Sequence, residues 1–242
     1  VGIQDKGVGN FNVFDLNSFQ LLCSTPIECG VADFAIDEKT GKIYILGFWA
    51  GGDCPNVMYV KEWDMSSNRV TKEIFVAPSG YQTAIVIDPA DPNYFYMTEG
   101  DFNLLRKVQI STGKEVQRLK FNKEDIAPNA LIRGGDVGYI VCAGTRAIYK
   151  LNLSSGQLLG YIPSSAGGYY RDRLYAQGGN YIWSISPSDG SLIEMFNIGR
   201  EANINRLTFF NDKMVAIDYT PETMIPKQLL LFDARNMTIL KS

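Results

Sequence analysis

The chain repeats one short grammar six times. FNVFDLNSFQLL (11–22), VKEWDMSSNRVTKEI (60–74), LRKVQISTGKEVQRL (105–119), IYKLNLSSGQLLGYI (148–162), IWSISPSDGSLIEMF (182–196) and LLFDARNMTIL (230–240) share one order: alternating apolar and polar residues, a turn, then a second apolar run. Their polar anchors Asp15, Asp64, Gln109, Asn152, Ser186 and Asp233 are spaced by 49, 45, 43, 34 and 47 residues. Period-two alternation is the strand signal, and Ser-Thr-Gly, Ser-Ser-Gly and Ser-Asp-Gly suit turns with a glycine at positive φ. Each copy therefore reads as a β-hairpin.

A second family lies between them: FAIDEKTGKIYILGF (34–48), IVIDPADPNYFYMTE (85–99), ALIRGGDVGYIVCAG (130–144) and LTFFNDKMVAIDY (207–219). Here a short apolar strand enters a turn of Asp, Gly, Pro or Asn and leaves as an aromatic-rich strand. Asp37 and Asp88 close these turns. Two hairpins per period of about 44 residues make a four-stranded meander, the size of a propeller blade. One such unit cannot bury both its faces, so copies must stack. A β-sandwich does not require a repeated pair of hairpins, and solenoid coils are usually shorter. The expected architecture is an all-β propeller forming a single domain over 1–242, with about six blade units of up to four antiparallel strands. Only VGIQDKGVG precedes the first hairpin, so that blade is expected to be completed by the C-terminal region or left three-stranded. Residues 165–181 are expected to supply one good strand. The opening VGIQDKG has neither an initiator Met nor a signal-peptide pattern, so the chain reads as a mature portion or piece of something longer.

Composition removes several chemistries. The chain has no histidine, which excludes Ser-His-Asp and Cys-His catalysis and imidazole metal ligation. A net charge of −3 gives no electrostatic case for nucleic acid or an anionic membrane. No apolar run approaches the roughly 20 residues of a membrane span. Cys23 and Cys29 flank the Pro-containing stretch CSTPIEC, read as a loop short enough for a disulfide, whereas Cys142 reads as a buried hydrophobe in a strand. The oxidation state stays open, as do the glycosylation sequons at Asn152 and Asn236. An extracellular or secretory-pathway setting is expected, with a cytoplasmic one left open.

VADFAIDEKTGKIYIL and TAIVIDPADPNYFYMTEGDFNLLRKVQISTGKEV resemble the repeats of the NHL, YWTD and YVTN propeller group. That resemblance implies a scaffold over nearly the whole chain and carries no catalytic signature. It places binding on the longer loops: GFWAGGDCPNV (47–57) with Trp49 and Asp53, SSAGGYYRDR (164–173) with Tyr169, Tyr170 and Arg171, and DYTPETMIPKQ (218–228) with Tyr219. Aromatic and Arg side chains on loops favour protein or glycan partners. The function expected is a non-catalytic binding or structural module without a cofactor, within an extracellular assembly. The alternative is a calcium-dependent hydrolase of the lactonase type, which the resemblance would seat on Asp33, Asn129 and Asn205, whose oxygens are hard ligands.

Overall fold

In the computed structural model every regular element among the described residues is a β-strand. The structure describes residues 8–15, 18, 20–28, 30–48, 57–78, 82–88, 90–99, 103–121, 128–142, 147–163, 166–200, 202–220 and 226–241. The first hairpin joins β1 (Val8–Phe14) to β2 (Leu21–Glu28) in a two-stranded sheet. Five four-stranded sheets follow. Sheet one holds β3 (Gly30–Asp37), β4 (Lys42–Phe48), β5 (Val57–Asp64) and β6 (Arg69–Pro78). Sheet two holds β7 (Gln82–Ile87), β8 (Tyr94–Glu99), β9 (Leu104–Gln109) and β10 (Glu115–Lys120). Sheet three holds β11 (Pro128–Gly134), β12 (Val137–Cys142), β13 (Ala147–Asn152) and β14 (Leu158–Ile162). Sheet four holds β15 (Gly168–Tyr170), β16 (Arg173–Gly178), β17 (Tyr181–Ile185) and β18 (Leu192–Asn197). Sheet five holds β19 (Ile204–Phe210), β20 (Lys213–Tyr219), β21 (Pro226–Asp233) and β22 (Thr238–Lys241).

Each sheet is a meander in chain order, as the two hairpin families require. Four expectations are corrected. Five complete units stand where six were expected. The hairpin β1–β2 is not completed by the C-terminal region, because β22 is the last strand of its own sheet and β1 and β2 form theirs alone among the described residues. Residues 165–181 supply two strands rather than one, since a two-residue turn is enough to reverse the chain at Arg171-Asp172. The stretch CSTPIEC, read as a loop, is strand through Glu28, with Thr25 and Pro26 paired to Phe11 and Asn10.

The polar anchors fix the turns between the third and fourth strands. Asp64 Oδ1 accepts the Ser66 and Ser67 amides at 2.8 and 2.9 Å, Ser186 Oγ accepts the Ser188 amide at 3.2 Å, and Asp233 Oδ1 accepts the Arg235 amide at 3.0 Å. Immediately after each turn comes the same bulge. The registers leave one extra residue at the second or third position of every outer strand: Leu22, Thr71, Val116, Leu159, Ile193 and Leu240. The five large apolar ones are exposed, between 44% and 64%. A bulge increases local twist and blunts an edge that would otherwise template aggregation. The same bulge occurs in β1–β2, so that hairpin shares the local form of the outer hairpins of the five sheets.

The chain divides into two compact units, residues 1–131 with 143–145 and 153–157, and residues 132–142 with 146–152 and 158–242. In the first, Leu46, Val60, Ile85, Phe95, Met97 and Val108 pack sheets one and two together. There the β1–β2 hairpin lays Phe11, Val13 and Cys23 against Ile43, Ile45 and Trp63, and the Trp63 indole donates to Thr25 Oγ1 at 3.1 Å. In the second, Ile182, Leu207, Met214, Leu230 and Phe232 do the same for sheets four and five. Gly168 lets these two sheets approach, since a Cβ there would lie 2.4 Å from the Leu207 carbonyl oxygen.

Candidate binding surface

Two neighbouring hairpin turns in the second unit gather three of the residues expected to bind. The β15–β16 turn places Arg171 and Asp172 at φ 47° and 58°, and the β19–β20 turn places Asn211 and Asp212 at φ 43° and 58°. Two successive positive φ values define the turn whose twist matches a hairpin. Asn and Asp tolerate that backbone; arginine rarely adopts it. Side chains hold Arg171 there. Its guanidinium donates to Asp212 Oδ1 at 2.7 Å and lies 5.2 Å from the Tyr170 ring centroid. The Tyr170 hydroxyl donates to the same Asp212 oxygen, and the Tyr169 hydroxyl donates to Asp172 Oδ1 at 2.8 Å.

Behind the turns the aromatics stack in pairs. Tyr170 lies on Phe209 at 5.1 Å and 7°, and Tyr169 on Tyr139 at 5.6 Å and 20°. These contacts lock the ring torsions, so a ligand would meet a preformed surface. The Tyr170 hydroxyl bond, helped by the charges of Arg171 and Arg235, holds the Asp212 carboxyl below the usual carboxylate range. Burial and the bond to Asp172 push the Tyr169 phenol up to about 12. At neutral pH the surface therefore presents neutral phenols, an ionised Asp212 and the cation of Arg171, whose side chain is 60% exposed.

Buried acids elsewhere are paired. Asp88 meets Lys107 Nζ at 2.5 Å, and that ammonium sits 5.0 and 5.2 Å from the Tyr94 and Tyr96 rings. Arg106 bridges Glu99 and Glu115. Asp218, 1% exposed, accepts the Asn203 amide at 3.0 Å, Gln228 Nε2 at 3.1 Å and Arg200 Nη2 at 2.5 Å. Burial alone would raise the Asp218 pKa; those bonds and the charges of Arg200 and Lys227 outweigh it and set it low. Each of these acids is thus engaged by a cation, and Asp218 by neutral donors as well.

The chain is similar to a protein of unknown function from Bacteroides caccae, at 12% identity and a TM-score of 0.66, over 96% of this chain and 88% of that one. It is similar to Myxococcus xanthus glutaminyl cyclase, at 16% identity and 0.51, over 66% and 69% of the two chains. It also resembles Kuenenia stuttgartiensis hydrazine synthase, at 14% and 0.56, over 84% and 63%. The fold is that of a β-propeller. Identities this low show the fold alone, and no family model or curated protein matches the chain.

In propeller terms the five sheets are blades, numbered as above, and the expected site residues fall at opposite ends of them. Tyr169 and Tyr170 belong to the first strand of blade four and Arg171 to the turn after it, not to a loop entering or leaving the blade. Tyr219 ends the second strand of blade five, at the opposite end, where its amide donates to Asn203 O at 3.0 Å. Trp49, Asp53 and Cys29 lie outside the described residues, as do the side chains of Asn129 and Asn205. Asp33, 6% exposed, accepts the Phe34 amide at 2.7 Å on one oxygen and the Ile85 amide at 2.9 Å on the other, pinning blade one to blade two. Among the described residues no cluster of three or more His, Cys, Asp or Glu is arranged around a metal position. Asp37 closes its turn through the Lys39 amide and Thr40 hydroxyl at 3.1 and 2.6 Å. Cys23 is a free thiol, and burial pushes that of Cys142 up to about 12. Asn152 ends β13, and Asn236 sits exposed in the last turn, with its Oδ1 accepting the Thr238 hydroxyl at 2.8 Å.

Sequence reasoning missed Asp212, the acid that organises the surface. Its signal was present: two adjacent turns, RD and ND, each of the two-residue class, follow aromatic pairs YY and FF.

Proposed function

We propose that this chain is a non-catalytic binding module that holds a partner on the turn surface of blades four and five, within an extracellular assembly. The observation that carries the reading is Arg171, kept in a left-handed backbone by Asp212 and Tyr170 while its side chain stays exposed. Strain of this kind persists where surrounding contacts over-determine it, and such positions concentrate at functional sites. Exposed Arg beside rigid Tyr is also the composition of binding hot spots. Of the two partner classes a protein is favoured over a glycan. Phe209 covers one side of the Tyr170 ring and the Arg171 guanidinium lies over it, so the ring offers little bare face for a sugar. The Arg171 fork instead suits a carboxylate on an acidic peptide segment. The repeat resemblance to the NHL, YWTD and YVTN group supports the same class of role.

The alternative of a calcium-dependent hydrolase would draw on Asp33, and both of its oxygens already serve backbone amides. The test is to pan a displayed peptide library, alongside a glycan array, against wild type and Arg171→Gly. Acidic peptides retained by wild type and lost by the variant are the expected result. Equal retention, or hits on the glycan array alone, would overturn the reading.

A further inference from the structure

The first strands of blades one and two are written alike and buried differently. Phe34-Ala35-Ile36-Asp37 closes β3 as Ile85-Val86-Ile87-Asp88 closes β7 and enters its turn. Phe34 and Ile36 pair with Ile45 and Ile43, just as Ile85 and Ile87 pair with Met97 and Phe95. Yet Ile85 and Ile87 are 1% and 6% exposed, whereas Phe34 and Ile36 are 44% and 47% exposed.

What lies against each face accounts for the difference. In blade two, Ile85 and Ile87 pack under the inner hairpin of blade one, β3–β4, against Ala35, Tyr44 and Leu46. The Ile85 amide also donates to Asp33 of that hairpin at 2.9 Å. In blade one, the β1–β2 hairpin sets Phe11, Val13 and Cys23 on Ile43, Ile45 and Trp63, and those three are buried. Toward β3 the hairpin makes an edge-on contact, Phe11 with the Phe34 ring at 5.8 Å and 77°. The Phe34 amide, counterpart of the Ile85 amide, donates to Asp33 of its own strand. Cover thins where β1 ends the sheet. β1 pairs with β2 along one edge, and among the described residues no third strand lines the other. Every second residue of an antiparallel strand turns its N–H and C=O away from its partner, so that edge is a template for a further strand.

We propose that the open edge of β1 and the bare floor of Phe34 and Ile36 form an acceptor for a β-hairpin of another protein, one strand pairing with β1 while the hairpin covers β3. The repeat itself states what the occupant must look like, because β3–β4 fills the equivalent place over blade two. It is a pair of strands of seven to eight residues, with apolar side chains at alternate positions on the covering face. Main-chain pairing supplies the affinity, and the alternate apolar positions supply the selection. A helix or a glycan presents no row of N–H and C=O groups at strand spacing. The two observations are independent, one of backbone and one of side chains, and both ask for the same ligand.

The probe is a cyclised peptide copying residues 31–47, closed where Val31 and Gly47 already pair, titrated by fluorescence anisotropy against the whole chain. Cyclisation preorganises the hairpin. Wild type is expected to bind it, and to bind at least about tenfold more weakly a peptide whose Ala35, Tyr44 and Leu46 are replaced by serine. In the chain, F34K and I36K are each expected to weaken binding at least about tenfold at the wild-type Tm, because both side chains already meet solvent. I36K keeps the test decisive should loss of the Phe11 contact disturb the fold of F34K. Hydrogen exchange of the β1 amides is expected to slow on binding. A wild type that does not bind, variants that bind equally well, or binding that leaves β1 exchange unchanged would each overturn the proposal. Sedimentation showing a wild-type dimer that both variants abolish would give the acceptor to a second copy, and also overturns it. The Arg171 variant is expected to bind the hairpin as wild type does, so this inference and the proposed function can fail separately.

Discussion

Replacing Asp33 measures how much of the joint between blades one and two rests on a single carboxylate. Its oxygens accept the Phe34 and Ile85 amides, and Ile85 is 1% exposed. Asp33→Ala leaves the Ile85 N–H buried without its acceptor, at about 1–3 kcal/mol, and removes a second charge-assisted bond. A total of about 2–4 kcal/mol follows, which for a chain of this size lowers Tm by roughly 5–12 °C. Asp33→Asn is nearly as costly, because an amide turns its oxygen to one N–H and its own NH2 to the other. Urea titration followed by tryptophan fluorescence, with the midpoint compared at unchanged slope, reads both. Calcium adds a second arm. If Asp33 were a metal ligand, calcium would raise the wild-type Tm and D33N would abolish that rise. D33N as stable as wild type, or a calcium shift dependent on Asp33, would refute the assignment of this carboxylate as a pin.

Three further outcomes follow from the same structure. Asp218 has a depressed pKa in the folded state, so its contribution to stability is present above the unfolded value near pH 3.9 and is lost as pH falls through and below it; D218N should be less stable at pH 7 and show a shallower acid loss below about pH 4 in denaturant titrations. Cys142, its thiol pushed up to about 12 by burial, should not react with a disulfide reagent at about pH 8 in the native protein, and should react fully in urea. Gly168→Ala would drive a Cβ against the Leu207 carbonyl oxygen and should destabilise by about 2–3 kcal/mol, read by the same urea titration.

The hairpins were legible because period-two alternation and Gly or Asp turns are local signals. Every anchor read from the sequence belongs to a hairpin of the repeat, and Asp64, Ser186 and Asp233 visibly accept amides of their turns. The bulge was written there too, as the adjacent pairs Leu21-Leu22, Leu158-Leu159, Leu192-Ile193 and Ile239-Leu240, which break the alternation. What the sequence hid was the end of the blade at which Tyr169–Arg171 lie. That depends on a two-residue turn with arginine at positive φ, a backbone its residue type disfavours. The role of Asp33 was hidden for a different reason: its partner Ile85 lies 52 residues away, and no local pattern encodes that pairing.

Hydroxyl-radical footprinting with a library-selected peptide bound asks directly which end of the blades engages a partner. Protection of Tyr169 and Tyr170, with Tyr219 unchanged, is the result this account predicts. Protection of Tyr219 with Tyr169 and Tyr170 unchanged would contradict it.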